Sequence, residues 1–212
     1  MDLERFIQQR PYLYHLTNAQ NAESILAEKK LYSANQIIYM SGDHSDNVNR
    51  QRRVGHQEIK VGEKSYFLRD QRPISQKALE KCLTDGWKMP DFLYYLNDRV
   101  FMWPTLDRLR RHYNRYALEN PVIFRFPTRE TIEANPHVKF CRLNSGATRA
   151  NSYLGGKPPE RGKNSFLSAE NFLLPLREVA EVTFENECNF DFAIARGLTP
   201  DGVFVEVIPK GF

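Results

Sequence analysis

The stretch Pro11-Tyr-Leu-Tyr-His15-Leu-Thr17-Asn-Ala-Gln-Asn-Ala-Glu-Ser-Ile-Leu-Ala-Glu-Lys-Lys30 predicts a β-strand that runs directly into an amphipathic helix. Its aromatic and aliphatic start suits a strand, and Asn18 is well placed to cap the helix that follows. Alternate side chains of a strand share a face, so we expect the His15 imidazole and the Thr17 hydroxyl side by side. Such a pair can bind a ribose hydroxyl or an amide. The alternative for His15 is a half-buried histidine with a purely structural hydrogen bond.

Length and composition limit the classes of protein to which this chain can belong. The chain has 212 residues, of which 41% are hydrophobic, which is enough for one domain with its own core. No apolar run approaches the roughly 18 residues that a membrane-spanning helix needs, and the N-terminus lacks the pattern of a signal peptide. Three widely spaced cysteines indicate neither a disulfide framework nor a cysteine zinc site. We therefore predict a cytoplasmic protein that does not bind membranes.

Basic residues are clustered although the net charge is only +4. The clusters are Arg50, Arg52 and Arg53; Arg108, Arg110 and Arg111; and Arg149, Lys157, Arg161 and Lys163. Clustered arginines with interspersed aromatic residues favour a phosphate-bearing partner. The alternative is that these arginines lie on solvated helix faces and loops.

The order of the predicted elements indicates the fold class. Helices are expected after Ser75, from Asp91 and over 105–116, and a hairpin is expected across 59–68. Short strands are expected at 99–103, 122–126, 138–143, 178–184 and 203–208. This pattern favours an α+β fold with a mainly antiparallel sheet over a βαβ winding. The polar stretches 41–56 and 144–163 are predicted to be a mobile loop and a flexible lid.

Several common enzyme classes lack their motifs in this chain. It contains no GxGxxG, Walker, HExxH or GxSxG sequence, which argues against Rossmann oxidoreductases, P-loop kinases and α/β-hydrolases. His44 and His56 flank a polar loop, but no nearby cysteine or pair of carboxylates completes a metal ligand set. We therefore expect no metal.

Glu181 is the carboxylate most in need of an explanation. On a strand over 178–184 it would share a face with Val179 and Thr183, while Glu178 would point the other way. A charge there is either placed for function or protects an edge strand against aggregation. Because Glu178 and Glu181 would lie on opposite faces, the two do not form the carboxylate pair of a glycosidase.

Several segments together resemble a known family. Leu13-Tyr-His15-Leu-Thr17, together with the helix that follows it through Ile25, resembles the opening of DarT-type DNA ADP-ribosyltransferases. Val179-Ala-Glu181-Val-Thr-Phe resembles the strand that carries the catalytic glutamate of that family. Further similar segments, typical of a little-described bacterial group of DarT-like domains, are Phe67–Pro73, Arg99–Trp103 and Leu143–Arg149. The His-x-Thr element is also similar to one in KptA-type RNA 2′-phosphotransferases, which share the fold.

The resemblance implies a fold and an activity. The fold would be the split, mainly antiparallel sheet of ADP-ribosyltransferases with peripheral helices, in a single domain over 1–212 with a helical insertion at 63–97. The activity would be NAD-dependent mono-ADP-ribosylation, with NAD as the co-substrate. The acceptor would be nucleic acid, expected to be the bases of single-stranded DNA. A role as a toxin or anti-phage effector, with an antitoxin or hydrolase as partner, would follow.

The resemblance also implies roles for individual residues. Glu181 would stabilise the positive charge that develops on the ribose, and Arg53 would act with it. The cofactor contacts would come from His15, Thr17, Tyr39 and Arg50, with Tyr39 or an aromatic residue of 101–103 stacking on nicotinamide. Nucleic-acid contacts would come from Arg149 and Lys163. The functional arginine among Arg50, Arg52 and Arg53 stays open.

Two other functions remain open from the sequence. One is an RNA 2′-phosphotransferase, which would need several basic residues converging on the phosphate. The other is a catalytically silent module that binds NAD or nucleic acid. An enzyme requires the Glu181 carboxylate to face the cleft that contains His15, whereas a binding module does not.

Overall fold

The computed structural model describes residues 1–150 and 154–207 as a mixture of short helices and short strands. The helices are α1 (Leu3–Gln9), α2 (Ala22–Glu28), α3 (Ala34–Met40), α4 (Asp46–Asn49), α5 (Gln76–Glu80), α6 (Met89–Asn97), α7 (Leu106–Tyr116) and α8 (Thr128–Ala134). The strands are β1 (Tyr12–Asn18), β2 (Lys30–Tyr32), β3 (Gln57–Val61), β4 (Lys64–Leu68), β5 (Arg99–Met102), β6 (Pro121–Pro127), β7 (Lys139–Cys141), β8 (Glu181–Glu185), β9 (Glu187–Asn189), β10 (Ile194–Gly197) and β11 (Val205–Val207).

The strands form two larger antiparallel sheets and two small ones. One larger sheet has the order β1-β6-β10-β11, and the other has the order β5-β8-β7. The small sheets are the pair β2-β9 and the hairpin β3-β4. The prediction of an α+β fold with a mainly antiparallel sheet is confirmed.

The two larger sheets meet at a single backbone pair. The Tyr14 N–H donates to the Trp103 carbonyl at 2.9 Å, and the Trp103 N–H donates to the Tyr14 carbonyl at 2.8 Å. Trp103 follows the end of β5, and His15 follows Tyr14 in β1. We call this contact the seam. Away from the seam, β1 belongs to the sheet β1-β6-β10-β11 and β5 belongs to the sheet β5-β8-β7.

One hydrophobic core holds the two larger sheets together. It includes fully buried phenylalanines of both sheets, such as Phe124 and Phe126 of β6, Phe140 of β7 and Phe184 of β8. Phe6 of α1 covers them, with its ring centroid 5.3 Å from that of Phe140. Close packing of large rings from both sheets fixes the distance across the seam.

Residues 74–96 add a second, smaller core beside the sheet β5-β8-β7. Its buried members come from α5, α6 and the segment before them, and include Leu79, Phe92 and Leu93. They pack against Cys141 of β7 and Phe166. The predicted cap at Ser75 is present, since its side chain accepts a hydrogen bond from the Ala78 N–H. Asn18 accepts from the Gln20 N–H, but it caps the 3-10 turn Ala19–Asn21 that precedes α2 and not α2 itself. Thr105 caps α7 by accepting from the Arg108 N–H.

The strand of Glu181 differs from its prediction in two ways. It begins at Glu181 rather than at 178, because Leu176–Glu178 forms a 3-10 turn after Pro175. It is also the central strand of its sheet, paired on both sides with β5 and β7. Glu181 therefore does not protect a sheet edge, and its carboxylate lies in the interior.

The stretch 41–56 contains the short helix α4, which the sequence did not predict. Helix α6 begins at Met89, two residues before the expected Asp91. None of the helices in the described ranges has the length and apolar character that crossing a membrane requires.

Candidate functional site

A cavity of about 840 Å³ opens at the seam and contains both residues singled out from the sequence. His15 of β1 and Glu181 of β8 line it together. The strand register explains why: Tyr14 pairs with Trp103, and the preceding Met102 pairs with Val182, the neighbour of Glu181. The seam thus brings the imidazole and the carboxylate to one cavity although they are far apart in the sequence.

His15 is a half-buried, neutral imidazole in this cavity. Its Nδ1 lies 2.9 Å from the Phe101 carbonyl, which can only accept, so the hydrogen is on Nδ1. Burial lowers the pKa of His15 to about 4, with a further contribution from the charge of Arg69 and an opposing one from the Phe101 hydrogen bond. The other nitrogen, Nε2, is therefore unprotonated at neutral pH and can accept a hydrogen bond.

Thr17 also lines the cavity, and its hydroxyl oxygen accepts a hydrogen bond from Asn21 Nδ2 at 3.0 Å. Asn21 is fixed in turn by two hydrogen bonds to the backbone of Phe67 in β4. The hydroxyl hydrogen of Thr17 is left to donate to another group. Both residues of the predicted pair, His15 and Thr17, therefore line the same cavity.

Glu181 is almost fully buried, with 3% of its surface exposed. Its Oε2 accepts a hydrogen bond from the Ser145 backbone N–H at 2.8 Å. Burial raises the pKa of Glu181 to about 7, while the hydrogen bonds from Ser145 and the charges of Arg161 and Arg108 oppose this rise. A carboxyl with a pKa near neutrality in a cavity is a candidate for acid–base or charge-stabilising chemistry.

Arg161 fixes the loop that presents Ser145. Its buried guanidinium donates to the Asn144 carbonyl at 2.9 Å and to the Ala147 carbonyl at 2.8 and 3.0 Å. The Cys82 thiol contacts the Thr148 carbonyl at 3.1 Å. Residues 144–148 are thus anchored at several points, which does not fit the predicted flexible lid. Part of that prediction, 151–153, lies outside the described residues.

Of the arginines at 50, 52 and 53, only Arg53 lines the cavity. Its guanidinium donates to the Asn97 side chain at 2.9 Å and to the Arg69 carbonyl at 3.1 Å, and burial lowers its pKa to about 10. The Arg50 guanidinium instead forms an ion pair with the Asp91 carboxylate, at 3.2 Å. The predicted contact of Arg50 with a cofactor therefore does not fit this cavity.

Two other predicted contacts also lie outside the cavity, while Arg149 lines it. Tyr39 is 61% exposed and packs on His44 with a ring distance of 4.7 Å, because α3 buries the side chains of Ile37 and Ile38 instead. Lys163 is exposed and lies 3.7 Å from Asp85. Phe101 and Trp103 are among the aromatic residues that line the cavity. Of the two predicted stacking partners, Tyr39 or an aromatic residue of 101–103, only the second therefore lies at the cavity.

Arg69 and His112 line the cavity but had no role in the sequence prediction. The Arg69 guanidinium lies 4.1 Å above the Tyr116 ring, and its Nη2 donates to the Thr17 carbonyl at 3.1 Å. Burial, followed by the charges of Arg69 and Arg115, lowers the pKa of His112 to about 3. Arg69 lies in the Phe67–Pro73 segment that carried part of the resemblance, which is the signal that could have found it. Nothing in the sequence marks His112.

Arginine is the commonest charged residue of the cavity wall. The arginines that line it are Arg53, Arg69, Arg72, Arg99, Arg111, Arg115 and Arg149. The acidic residues that line it are Asp70 and Glu181. This balance favours an anionic ligand such as a nucleotide. Among the described residues, no three histidine, cysteine or acidic side chains are grouped closely enough to hold a metal ion.

Comparison with known proteins gives a family. The family model described as a family of unknown function, DUF7002, matches residues 11–189, a span that includes both His15 and Glu181. No curated protein and no solved structure matches the chain. Since the matched span covers most of the sequence, the chain belongs to the DUF7002 family.

Proposed function

We propose that this protein is an NAD-dependent mono-ADP-ribosyltransferase that modifies nucleic acid, with DNA bases as the acceptor. The observation that carries the proposal is the convergence of His15 and Glu181 on one cavity. Glu181 is buried there rather than solvated, and it shares the cavity with an imidazole that comes from the other larger sheet. The volume of about 840 Å³ is also within the range of ligand pockets.

The arrangement of the sheets supports the same proposal. The two larger sheets are joined at Tyr14 and Trp103, and the cavity lies beside that contact. This agrees with the split sheet that the resemblance implies for an ADP-ribosyltransferase. Cytoplasmic location, and a role as a toxin or anti-phage effector held in check by an antitoxin or hydrolase, are part of the same proposal.

The chemistry follows from the positions of the side chains. In the proposed reaction the bond between the ribose C1′ and the nicotinamide nitrogen breaks, and nicotinamide leaves with the bonding electrons. The ionised Glu181 would stabilise the positive charge that develops on the ribose. The unprotonated Nε2 of His15 would accept a hydrogen bond from a ribose hydroxyl, and the Thr17 hydroxyl would donate to the ligand. A nitrogen of the acceptor base then forms the new bond to C1′, and its proton passes to the Glu181 carboxylate.

The proposed acceptor is supported by the exposed arginines at the cavity. Arg111 and Arg115 lie one turn apart on α7, and Arg149 comes from the loop after β7; all three are exposed and line the cavity. Exposed arginines can follow the phosphates of a strand while one base enters the cavity. A base in a duplex would first have to leave the stack, so single-stranded DNA is the expected substrate.

The test uses NAD labelled in its adenylate part and separate pools of single-stranded DNA, RNA and protein. We expect label on single-stranded DNA with the unmodified chain. Glu181→Gln should lower that transfer by about 10²–10³-fold, because it removes the stabilising charge and keeps the shape.

Glu178→Gln is the matched control. Glu178 is close in sequence but does not line the cavity, and its carboxylate lies 3.5 Å from Arg142. This variant should transfer label as the unmodified chain does. Equal transfer by the Glu181→Gln variant would remove the proposed mechanism, and binding without any turnover would favour the silent module.

A second candidate, removal of a 2′-phosphate from RNA, is favoured by one observation. It needs several basic residues near one phosphate, and seven arginines line this cavity. An RNA oligonucleotide with an internal 2′-phosphate, incubated with and without NAD, tests it. Loss of that phosphate without label on DNA would favour the second candidate over the first.

A further inference from the structure

The buried polar atoms that lack hydrogen-bond partners on the cavity-lining residues are all donors. They are Nε and Nη1 of Arg69, Nε and Nη1 of Arg99, and Nε1 of Trp103. A buried N–H without an acceptor is destabilising, because it has lost its hydrogen bonds to water. Among the described residues, every unpartnered buried atom of the cavity wall is therefore a donor. Such a wall suits a ligand that offers only hydrogen-bond acceptors.

Arg99 and Arg69 differ in how the rest of the protein satisfies them. The Arg99 guanidinium lies between two rings, 4.3 Å from Tyr95 and 4.7 Å from Phe166, and it is 3.4 Å from the Glu185 carboxylate. Its charge therefore has a protein partner, which makes Arg99 a structural residue.

Arg69 has no carboxylate within 4.0 Å among the described residues. Its hydrogen bond is the one from Nη2 to the Thr17 carbonyl, and Tyr116 lies under one face. The nearby Asp70 carboxylate lies instead against His56, at 3.5 Å. Arg69 is thus a cation at the cavity with no carboxylate in direct contact, and Asp70 and Glu119 act on its charge only from a distance.

The surroundings of Arg69 carry charges of both signs, because Arg115 lies near it as well as Asp70 and Glu119. Arg115 acts on the same neighbour, His112, and both His112 and His15 stay neutral. The carboxylate of Glu181 is affected by Arg161 and Arg108 instead. We call the part of the cavity around Arg69 and Arg115 its cationic end, and the part around Glu181 its acidic end.

We propose that Arg69 binds a phosphate group at the cationic end of the cavity, with Arg115 beside it. The choice of a nucleotide phosphate rests on the proposed function. Two sources share this chemistry: the pyrophosphate of NAD and a phosphodiester of the acceptor strand. Among the described residues one hydrogen bond, to the Thr17 carbonyl, holds the guanidinium, so it can turn toward the phosphate and form two parallel N–H···O bonds.

The test measures binding by calorimetry, without turnover. The ligands are inorganic pyrophosphate, NAD and a short single-stranded oligodeoxynucleotide, each titrated separately. The Arg69→Gln variant should bind pyrophosphate at least about 10-fold more weakly, since a charged hydrogen bond contributes about 1.5–3 kcal/mol. Arg69→Lys keeps the charge but not the planar fork, so it should also bind more weakly than the unmodified chain.

The control is Arg50→Gln, because Arg50 lies outside the cavity and pairs with Asp91. It should bind all three ligands as the unmodified chain does. Weaker binding of NAD in the Arg69 variants assigns the phosphate to NAD, and weaker binding of the oligonucleotide assigns it to the acceptor strand.

Unchanged binding of all three ligands by folded Arg69→Gln and Arg69→Lys variants would overturn the proposal. The result does not depend on ADP-ribosyl transfer. Pyrophosphate binding that requires Arg69, in a protein that does not consume NAD, would keep this subsite and reject the proposed function.

Discussion

At the acidic end of the cavity the Glu181 carboxylate accepts a hydrogen bond from Ser145, on a loop that Arg161 anchors through three hydrogen bonds. At the cationic end, Nε and Nη1 of Arg69 have no partner. The first arrangement is complete without a ligand, whereas the second lacks an acceptor. A group that reacts has to be held in place beforehand, and a group that binds can be completed by its ligand.

The largest expected effect is the difference in stability between variants of Arg161 and Arg69. Arg161→Met should lower the free energy of unfolding by about 4 kcal/mol, because three hydrogen bonds from a buried charge are lost. Arg69→Met should lower it by less than about 1 kcal/mol, because one hydrogen bond and one ring contact are lost while two unpaired donors disappear. Urea unfolding of both variants measures the difference, and equal losses would contradict the comparison.

The second effect is the dependence of the free energy of unfolding on pH, through the Glu181 carboxyl group. The pKa of Glu181 rises from the ordinary 4.5 to about 7 on folding, so its neutral form favours the folded state below pH 4.5. That stabilisation is lost as the pH rises through about 7. The pKa difference corresponds to roughly 3 kcal/mol. Glu181→Gln, which cannot ionise, should therefore be more stable than the unmodified chain at pH 8 and nearly equal to it at pH 4.5.

The measurement is urea unfolding of both proteins across that pH range. His15 and His112 have lowered pKa values of about 4 and about 3, so both proteins also lose stability as the pH falls below 6.5. This loss is common to the two proteins and cancels in their difference. A difference that does not grow with pH would show that the Glu181 pKa is not raised.

The smallest effects are expected outside the cavity. Tyr39→Ala and Arg50→Ala change side chains that do not line it. Each should change the free energy of unfolding and of NAD binding by no more than about 0.5 kcal/mol. Thermal unfolding and NAD titration check both. A large loss of NAD binding in either variant would mean that the ligand extends beyond the cavity.

The local parts of this fold were predictable because short-range chemistry sets them. Ser75 caps its helix through a hydrogen bond that spans three residues, as predicted, and strand alternation placed His15 and Thr17 at one cavity. Strands β9 and β10 were not predicted, because they have only three and four residues and depend on partners β2 and β6. Their pairing is a long-range contact that no local pattern records.

The candidate site divides in the same way. The sequence indicated His15, Thr17 and Glu181, but it could not choose Arg53 over Arg50, and it assigned no role to Arg69. The position of each arginine depends on which distant carbonyl or carboxylate its guanidinium contacts. Arg50 contacts the Asp91 carboxylate, and Arg69 contacts the Thr17 carbonyl.

The sequence by itself determined the strand and helix around His15, the α+β class and the identity of the acidic residue. Only the tertiary structure decided that Glu181 is buried in a central strand, that Arg161 holds its loop, and that the donors of Arg69 stay unpaired. The physical reason is that hydrogen-bond propensity and side-chain alternation act over a few residues. Burial, and with it the pKa of a carboxyl group, depends on every segment that packs around it.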